Sequence, residues 1–501
     1  MKPAAREEST LKKTALALVL VLMAGSPVFS QADFDAHFTD KALRLDLYQI
    51  GDAKDEIVTL HRIVQEPIWP ESRARLLDPF LFGHYALKIY EISTNELIFS
   101  RGFDTMLGEY RTTSPALAGV KRVFQRSMRL PLPKRPVLAV IESRDKKNIL
   151  HPIFTETIDP SDYHIIRESA AAGDWVYEAK RTGDPRDKVD FVFLAEGYAA
   201  EDKDKFRADV DRFTAYLFTV EPYKTLEARF NVSGIFRPSP EGGMDEPRQG
   251  AFKHTVLDAS FNAFDLDRYM LIETDHRMHE MAAQVPYDAI IVLVNSKRYG
   301  GGSISMDYCC TTVDNARSLE VFVHELGHSF AGLADEYYAS EVSYNDFYPK
   351  GVEPREPNIT ALLDPANVKW KDLLSPGIGI PTEYGKDAVE SLQAERQKLR
   401  KAQVEEIAAA KAKGAADAAL KKIQAKTQAA DKEIAAKIEA VRKRYADLND
   451  KVGIFEGAGY SAKGLYRPQV YCIMISSPKG EFCAVCRRAI ARMIDFYGAG
   501  N

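Results

Sequence analysis

At 501 residues the chain exceeds what one compact core organises, so two or three domains are expected. Hydrophobic residues make up 45% and charged residues 28%, the balance of an ordinary globular protein. Nothing in a formal net charge of −5 suggests a nucleic-acid surface, so no nucleic-acid partner is expected.

In chain order, Lys12 and Lys13 precede an apolar run from Ala15 to Ala24, which Ser26 and Pro27 break. Ser30 and Ala32 then offer small side chains for cleavage after Ala32. That order is a secretory signal peptide over residues 1–32. The run is well short of the ~20 apolar residues of a spanning helix, so the mature chain is expected to have no transmembrane segment. No cysteine near the cut invites lipidation. Four basic and two acidic residues leave with the leader, which takes the net charge from −5 to −7. The expected location is secreted or periplasmic.

Residues 33–180 read as a β-sandwich. Short alternating or aromatic runs recur at Leu43 to Tyr48, Ile57 to Val64, Tyr85 to Ile92, Leu97 to Phe103, Val137 to Ile141 and Tyr163 to Ile166. His37, His61, His84, His151 and His164 are scattered through it and read as packed or surface histidines.

Over residues 181–501 strands alternate with helices, so the fold class is α+β and multidomain. Phe191 to Ala195 is a strand, Glu201 to Leu217 a helix, Phe230 to Phe236 a strand and Ala289 to Val294 a fully buried strand. Gly300, Gly301, Gly302 and Ser303 follow, a run suited to a bent or closely approached edge strand. The next helix spans about Asn315 to Ala331.

Between about 386 and 451 the composition turns to Ala, Lys, Glu, Gln and Arg with one glycine, Gly414. Ile434, Ile438, Val441, Tyr445 and Leu448 step by four and three, as in a coiled-coil seam. An antiparallel helical hairpin turning near Gly414 is expected, either as a solvated insertion or as an arm that docks a partner. The five cysteines are Cys309, Cys310, Cys472, Cys483 and Cys486; for an exported chain, Cys483-x-x-Cys486 reads as part of a disulfide before it reads as a zinc site. The sequons at Asn231 and Asn358 carry little weight.

The chemistry lies in His324-Glu325-Leu326-Gly327-His328 and the residues after it. Histidines four apart project from one face of a helix and can bind one metal ion. Glu325 falls beside that ion rather than on it, the place for a general base working on water. Leu319, Phe322, Val323 and Leu326 supply the apolar face that such a helix needs, and Gly332 stops it. In the turn of metzincin-type peptidases, a third ligand comes three residues after that glycine, which here is Asp335. The spacer from His328 to Gly332 is one residue longer than in that motif, which leaves Glu336 as the alternative. The acid that is not a ligand is expected to orient a ligand histidine.

With these residues the chain resembles the IgA-peptidase-type zinc metallopeptidases of bacteria, relatives of the metzincins. The likeness rests on His324 to Tyr338, Tyr299 to Ser303, Pro357-Asn358-Ile359-Thr360, Trp370-Lys371, Phe455 to Ala458, Tyr466-Arg467-Pro468, Cys472, Met474 and Phe482 to Cys486. The region over 33–180 looks like the accessory domain found ahead of that catalytic domain, whereas the 386–451 insertion is not in the family pattern. The resemblance implies a metzincin-like zinc endopeptidase interrupted by the hairpin, with one catalytic Zn2+ and a protein or peptide substrate. It implies substrate pairing along Gly300, Gly301, Gly302 and Ser303. It also implies that Met474 is the methionine turn beneath the metal. The tyrosine that some metzincins place two residues after that methionine is replaced by Ser476, so no oxyanion group is assigned; Tyr337 and Tyr338 are candidates.

Two other classes compete. One is a catalytically silent binder of polypeptide or glycan, which has no use for Glu325 between the histidines. The other is a metal-dependent amidase or esterase on a non-peptide substrate, which shares the same water chemistry.

Overall fold

The computed structural model describes residues 32–167, 173–338 and 347–498. The expected leader therefore lies, Ala32 apart, outside the described residues. The N-terminal elements are α1 (Phe34–His37), β1 (Phe38–Gly51), β2 (Glu56–Glu66), β3 (Tyr85–Glu91) and β4 (Leu97–Phe103). They continue through α2 (Met106–Tyr110), α3 (Ser114–Leu117), β5 (Arg122–Pro133), β6 (Val137–Arg144) and β7 (Leu150–Ile158). Two antiparallel sheets, ordered β2-β1-β5 and β4-β3-β6-β7, close over one core. Alternation builds that core: Leu43, Leu45 and Leu47 of β1 meet Leu87, Ile89, Phe99 and Ile141.

Tyr163 to Ile166 forms no strand. Tyr163 is exposed and a single bridge joins Ile166 to Val64, because the run sits in turns seeded by Asp159 and Asp162. In its place stand β5 and β7, which the hydrophobic pattern hides. Arg126 of β5 is buried and paired with Asp307, and the half-buried Arg129 donates to the Tyr287 carbonyl, so both of these arginines face inward.

The next elements are β8 (Trp175–Lys180), β9 (Val189–Glu196), α4 (Lys203–Leu217), β10 (Phe230–Phe236), β11 (Ala259–Phe261), β12 (Met270–Ile272) and α5 (Asp275–Ala282). After them come β13 (Ala289–Val294), β14 (Gly301–Ile304), β15 (Tyr308–Thr312) and α6 (Ser318–Ala331). A six-stranded sheet is ordered β14-β15-β13-β9-β10-β8; its four inner strands are parallel and its two edges antiparallel. β8 thus joins this sheet, a few residues before the expected boundary at 180. Both faces of the sheet are covered, which is why β13 is apolar throughout and β9 is apolar from Phe191 to Ala195. Phe191, Phe193, Ile291 and Leu293 pack on α4 and α6, while Val192, Leu194 and Val292 pack toward β12 and α5.

α7 (Lys386–Ala412) and α8 (Asp417–Arg444) form an antiparallel pair, linked through Gly414 at φ 74°. Arg396 and Arg400 of α7 meet Asp431 of α8, and Ile434 and Ile438 are buried between the helices. At 27 residues and 1.5 Å per residue, α7 is about 40 Å long. β16 (Phe455–Ala458), β17 (Ser461–Arg467) and α9 (Ala484–Tyr497) complete the chain, α9 packing against α6 in the main core. Among the described residues no helix is long and apolar enough to cross a membrane.

Candidate active site

Phe322, Val323, Leu326 and Phe330 bury one side of α6, which leaves His324 and His328 facing a cleft one turn apart. Their Nε2 atoms stand 3.3 Å apart. His324 Nδ1 lies 3.0 Å from the Ile473 carbonyl, and His328 Nδ1 lies 2.5 Å from that of Leu333. A carbonyl only accepts, so both Nδ1 atoms carry hydrogen and both Nε2 lone pairs point to one place.

The helix stops at Gly332, whose φ of 58° is left-handed and whose N–H donates to the His328 carbonyl at 3.1 Å. A side chain there would also strike Phe82 of the N-terminal sandwich, 2.9 Å from the Cβ position. The reversal carries Asp335 back beneath the histidines. Its Oδ1 lies 3.1 Å from His324 Nε2 and 3.4 Å from His328 Nε2 and is buried without a hydrogen-bond partner. Three donors about 3.3 Å apart match the edge of a tetrahedron with bonds of about 2.0–2.1 Å, the geometry of zinc. The three residues therefore fit a metal ion.

The electrostatics agree. Burial disfavours a charged imidazole, but Asp335 outweighs it and pushes His328 up to about 9. Burial likewise disfavours the Asp335 carboxylate, and the two histidines overcome it, holding its pKa well below the usual carboxylate range. The pocket is built for positive charge. Asp335 Oδ2 accepts from Tyr460 at 2.6 Å, and Tyr337 also bonds Asp335 while receiving a hydrogen bond from Arg268.

Glu325 sits on the cleft side of α6, where Ser303 Oγ donates to its Oε2 at 2.7 Å. Gly301 makes room for this contact, since a Cβ there would lie 2.5 Å from Val321 and 3.3 Å from Glu325. Gly300, Gly301 and Ser303 line the cleft, of about 1330 Å³, together with Arg268, Tyr299 and Tyr348. Gly302 does not line it; a Cβ at Gly302 would fall 2.1 Å from the Met270 carbonyl. Tyr269 bridges the outer edge of β14 at Gly301, so part of this glycine run serves close approach of the chain's own segment. The N-terminal sandwich adds Asp104 and Glu109 to the cleft, the latter accepting from Tyr269 at 2.7 Å.

Met474 is fully buried, with its sulfur against α6 at Gly327, where a Cβ would approach it to 2.9 Å. Its carbonyl accepts the Glu336 N–H at 2.8 Å. Glu336 does not orient a ligand histidine, as the non-ligand acid was expected to; backbone carbonyls do that. One residue beyond Asp335, its side chain turns to the other side of the strand-like turn, where Asn358 Nδ2 donates to Oε1 at 3.0 Å. Asn358 is buried and also pairs with both backbone groups of Ala334, so the sequon residue is a structural clamp on this turn.

The disulfide expectation is corrected too. All five cysteines are free, and the shortest contact between the sulfurs of Cys472 and Cys486 is 3.7 Å against about 2.05 Å for a disulfide. Sequence reasoning missed Tyr460, Arg268, Asn358 and the Ile473 carbonyl, which reach the site from remote segments; only Asn358 lay in a motif that had been singled out. Asp275, His279 and Asp307 also converge, but Arg126 already occupies that cluster, paired with both carboxylates.

Residues 177–494 match the family model described as IgA Peptidase M64, and residues 33–155 match the one described as Peptidase M64 N-terminus. No curated protein matches the chain.

Proposed function

The chain belongs to the IgA peptidase M64 family, carries that family's N-terminal domain and is a peptidase; from this we propose that it is an exported zinc endopeptidase with Glu325 as general base. The observation that carries this reading is the triangle of His324 Nε2, His328 Nε2 and Asp335 Oδ1, with sides of 3.1–3.4 Å, beside a carboxylate that Ser303 holds.

His324, His328 and Asp335 would hold the zinc. When bound, the ion supplies Lewis acidity, lowering the pKa of water to about 7 and polarising the scissile carbonyl. Glu325 takes a proton from the attacking water as its oxygen bonds to the peptide carbon. It returns a proton to the amine nitrogen as the carbon–nitrogen bond breaks. Ser303 keeps the carboxylate on the cleft side throughout. Tyr460 and Tyr337 hold Asp335 so that Oδ1 faces the histidines. Met474 fills the space under Gly327 and fixes the level of α6 against the 472–476 turn. Gly300, Gly301 and Ser303 provide the wall along which an extended peptide would lie. The charged, apolar, small-residue order of residues 1–32 supports export.

The test pairs the purified mature chain with its Glu325→Gln variant, measuring zinc content and cleavage of an unfolded protein. About one zinc at the histidine centre of both proteins is expected, with cleavage falling by at least about 10²-fold in the variant. Cleavage by the variant at the wild-type rate would remove Glu325 as the base, and no cleavage by either protein would favour the binding-protein alternative.

A further inference from the structure

Behind the histidine centre lies a second convergence of metal-ligating groups. Cys472 on the turn before Met474, Cys483 and Cys486 at the start of α9, and Glu336 each bring one ligand atom to within 4.8 Å of all the others. We propose that these four residues form a structural site for a thiophilic divalent cation, zinc being the best fit, separate from the histidine centre and independent of the peptidase mechanism.

The distances carry the argument. With zinc–sulfur bonds of about 2.3 Å, a tetrahedral site places its sulfurs about 3.8 Å apart and sulfur from oxygen about 3.5 Å. Here Cys472 Sγ to Cys486 Sγ is 3.7 Å, Cys483 Sγ to Glu336 Oε1 is 3.8 Å and Cys486 Sγ to Glu336 Oε1 is 3.2 Å. All four side chains are at most 3% exposed, and Glu336 Oε2 is buried with no hydrogen-bond partner. Burying a carboxylate against three thiols is costly unless a cation neutralises them. The surroundings suit thiolates: Cys472 Sγ accepts the Cys483 N–H at 3.2 Å, and Cys483 Sγ accepts the Cys486 N–H at 3.4 Å. Both donors lie at the N-terminus of a 14-residue helix.

The site would tie together the two segments that shape the histidine centre. Glu336 follows Asp335 directly, and Cys472 precedes Ile473, whose carbonyl orients His324. Only one of the cysteines lies outside a C-x-x-C pair, which is why no spacing rule announces the four.

Cobalt(II) distinguishes the two centres, because the histidine centre has no sulfur. The full mature chain loaded with cobalt is expected to bind two ions and to show intense thiolate-to-cobalt absorption in the near ultraviolet. His324→Ala/His328→Ala should keep one cobalt and the whole of that absorption, with cleavage lost. Cys483→Ser/Cys486→Ser should lose the absorption; should that variant fail to fold, the wild type and the histidine variant still decide. Absence of the absorption in both of those proteins, or a disulfide among the three cysteines in peptide maps, would overturn the site. Neither result would touch the histidine centre, whose failure shows instead as loss of the second, sulfur-free cobalt.

Discussion

Ser303 donates its hydroxyl to Glu325 Oε2 across 2.7 Å, so the edge strand β14 holds the acid that α6 presents between two histidines. Hydrogen bonds to charged groups contribute about 1.5–3 kcal/mol, enough to fix one carboxylate rotamer. Ser303→Ala is therefore expected to lower kcat about ten-fold or more, with KM and zinc content unchanged. Steady-state kinetics and metal analysis check this; an unchanged kcat would mean that Glu325 is positioned without the hydroxyl.

Tyr460 acts one layer further out. Its hydroxyl holds Asp335 Oδ2 at 2.6 Å, and partners of metal ligands typically affect affinity by about 10–100-fold. Tyr460→Phe should weaken zinc binding by about ten-fold, read by competition with a chelator, while the fold is retained. Affinity equal to the wild type would show that Tyr337 alone suffices to hold the carboxylate.

His279 gives a pH-dependent stability outside the active site. Burial disfavours its charged form, and although Asp307 opposes this, the pKa is lowered from 6.5 to about 4. Asp275, Asp307, Arg126 and Tyr287 surround the ring. The folded state thus takes up the proton less readily than the unfolded chain. The stability that comes from neutral His279 is complete above about pH 6.5 and is lost as pH falls toward about 4. His279→Gln should lose less stability than wild type between pH 7 and pH 5 in chemical denaturation. Parallel losses in both proteins would place the acid sensitivity elsewhere.

Legibility in the sequence followed locality. His324, Glu325, His328 and Asp335 lie within twelve consecutive residues, so helical spacing and the reversal at Gly332 bring them together. The strand Ala289–Val294 stands where its apolar run begins and ends, because both of its faces are buried. β5 was hidden because its inward-facing arginines look like surface residues until Asp307 and Tyr287 are placed beside them. Tyr460, Arg268 and the Ile473 carbonyl had no local signal, for each depends on how distant turns fold back on α6. The trio Cys472, Cys483 and Cys486 misled in the same way: a C-x-x-C pair suggests a bond between sulfurs, whereas its neighbours in space are a remote cysteine and a glutamate.

Phe82 lies against Gly332, at the bend that delivers Asp335, and Asp104 donates its N–H to the Ser305 carbonyl at 3.1 Å beside the same cleft. The sandwich therefore forms part of the wall of the cleft rather than an appendage to it. A chain shorn of its first 150 or so residues would leave that bend facing water and the cleft short of two acids.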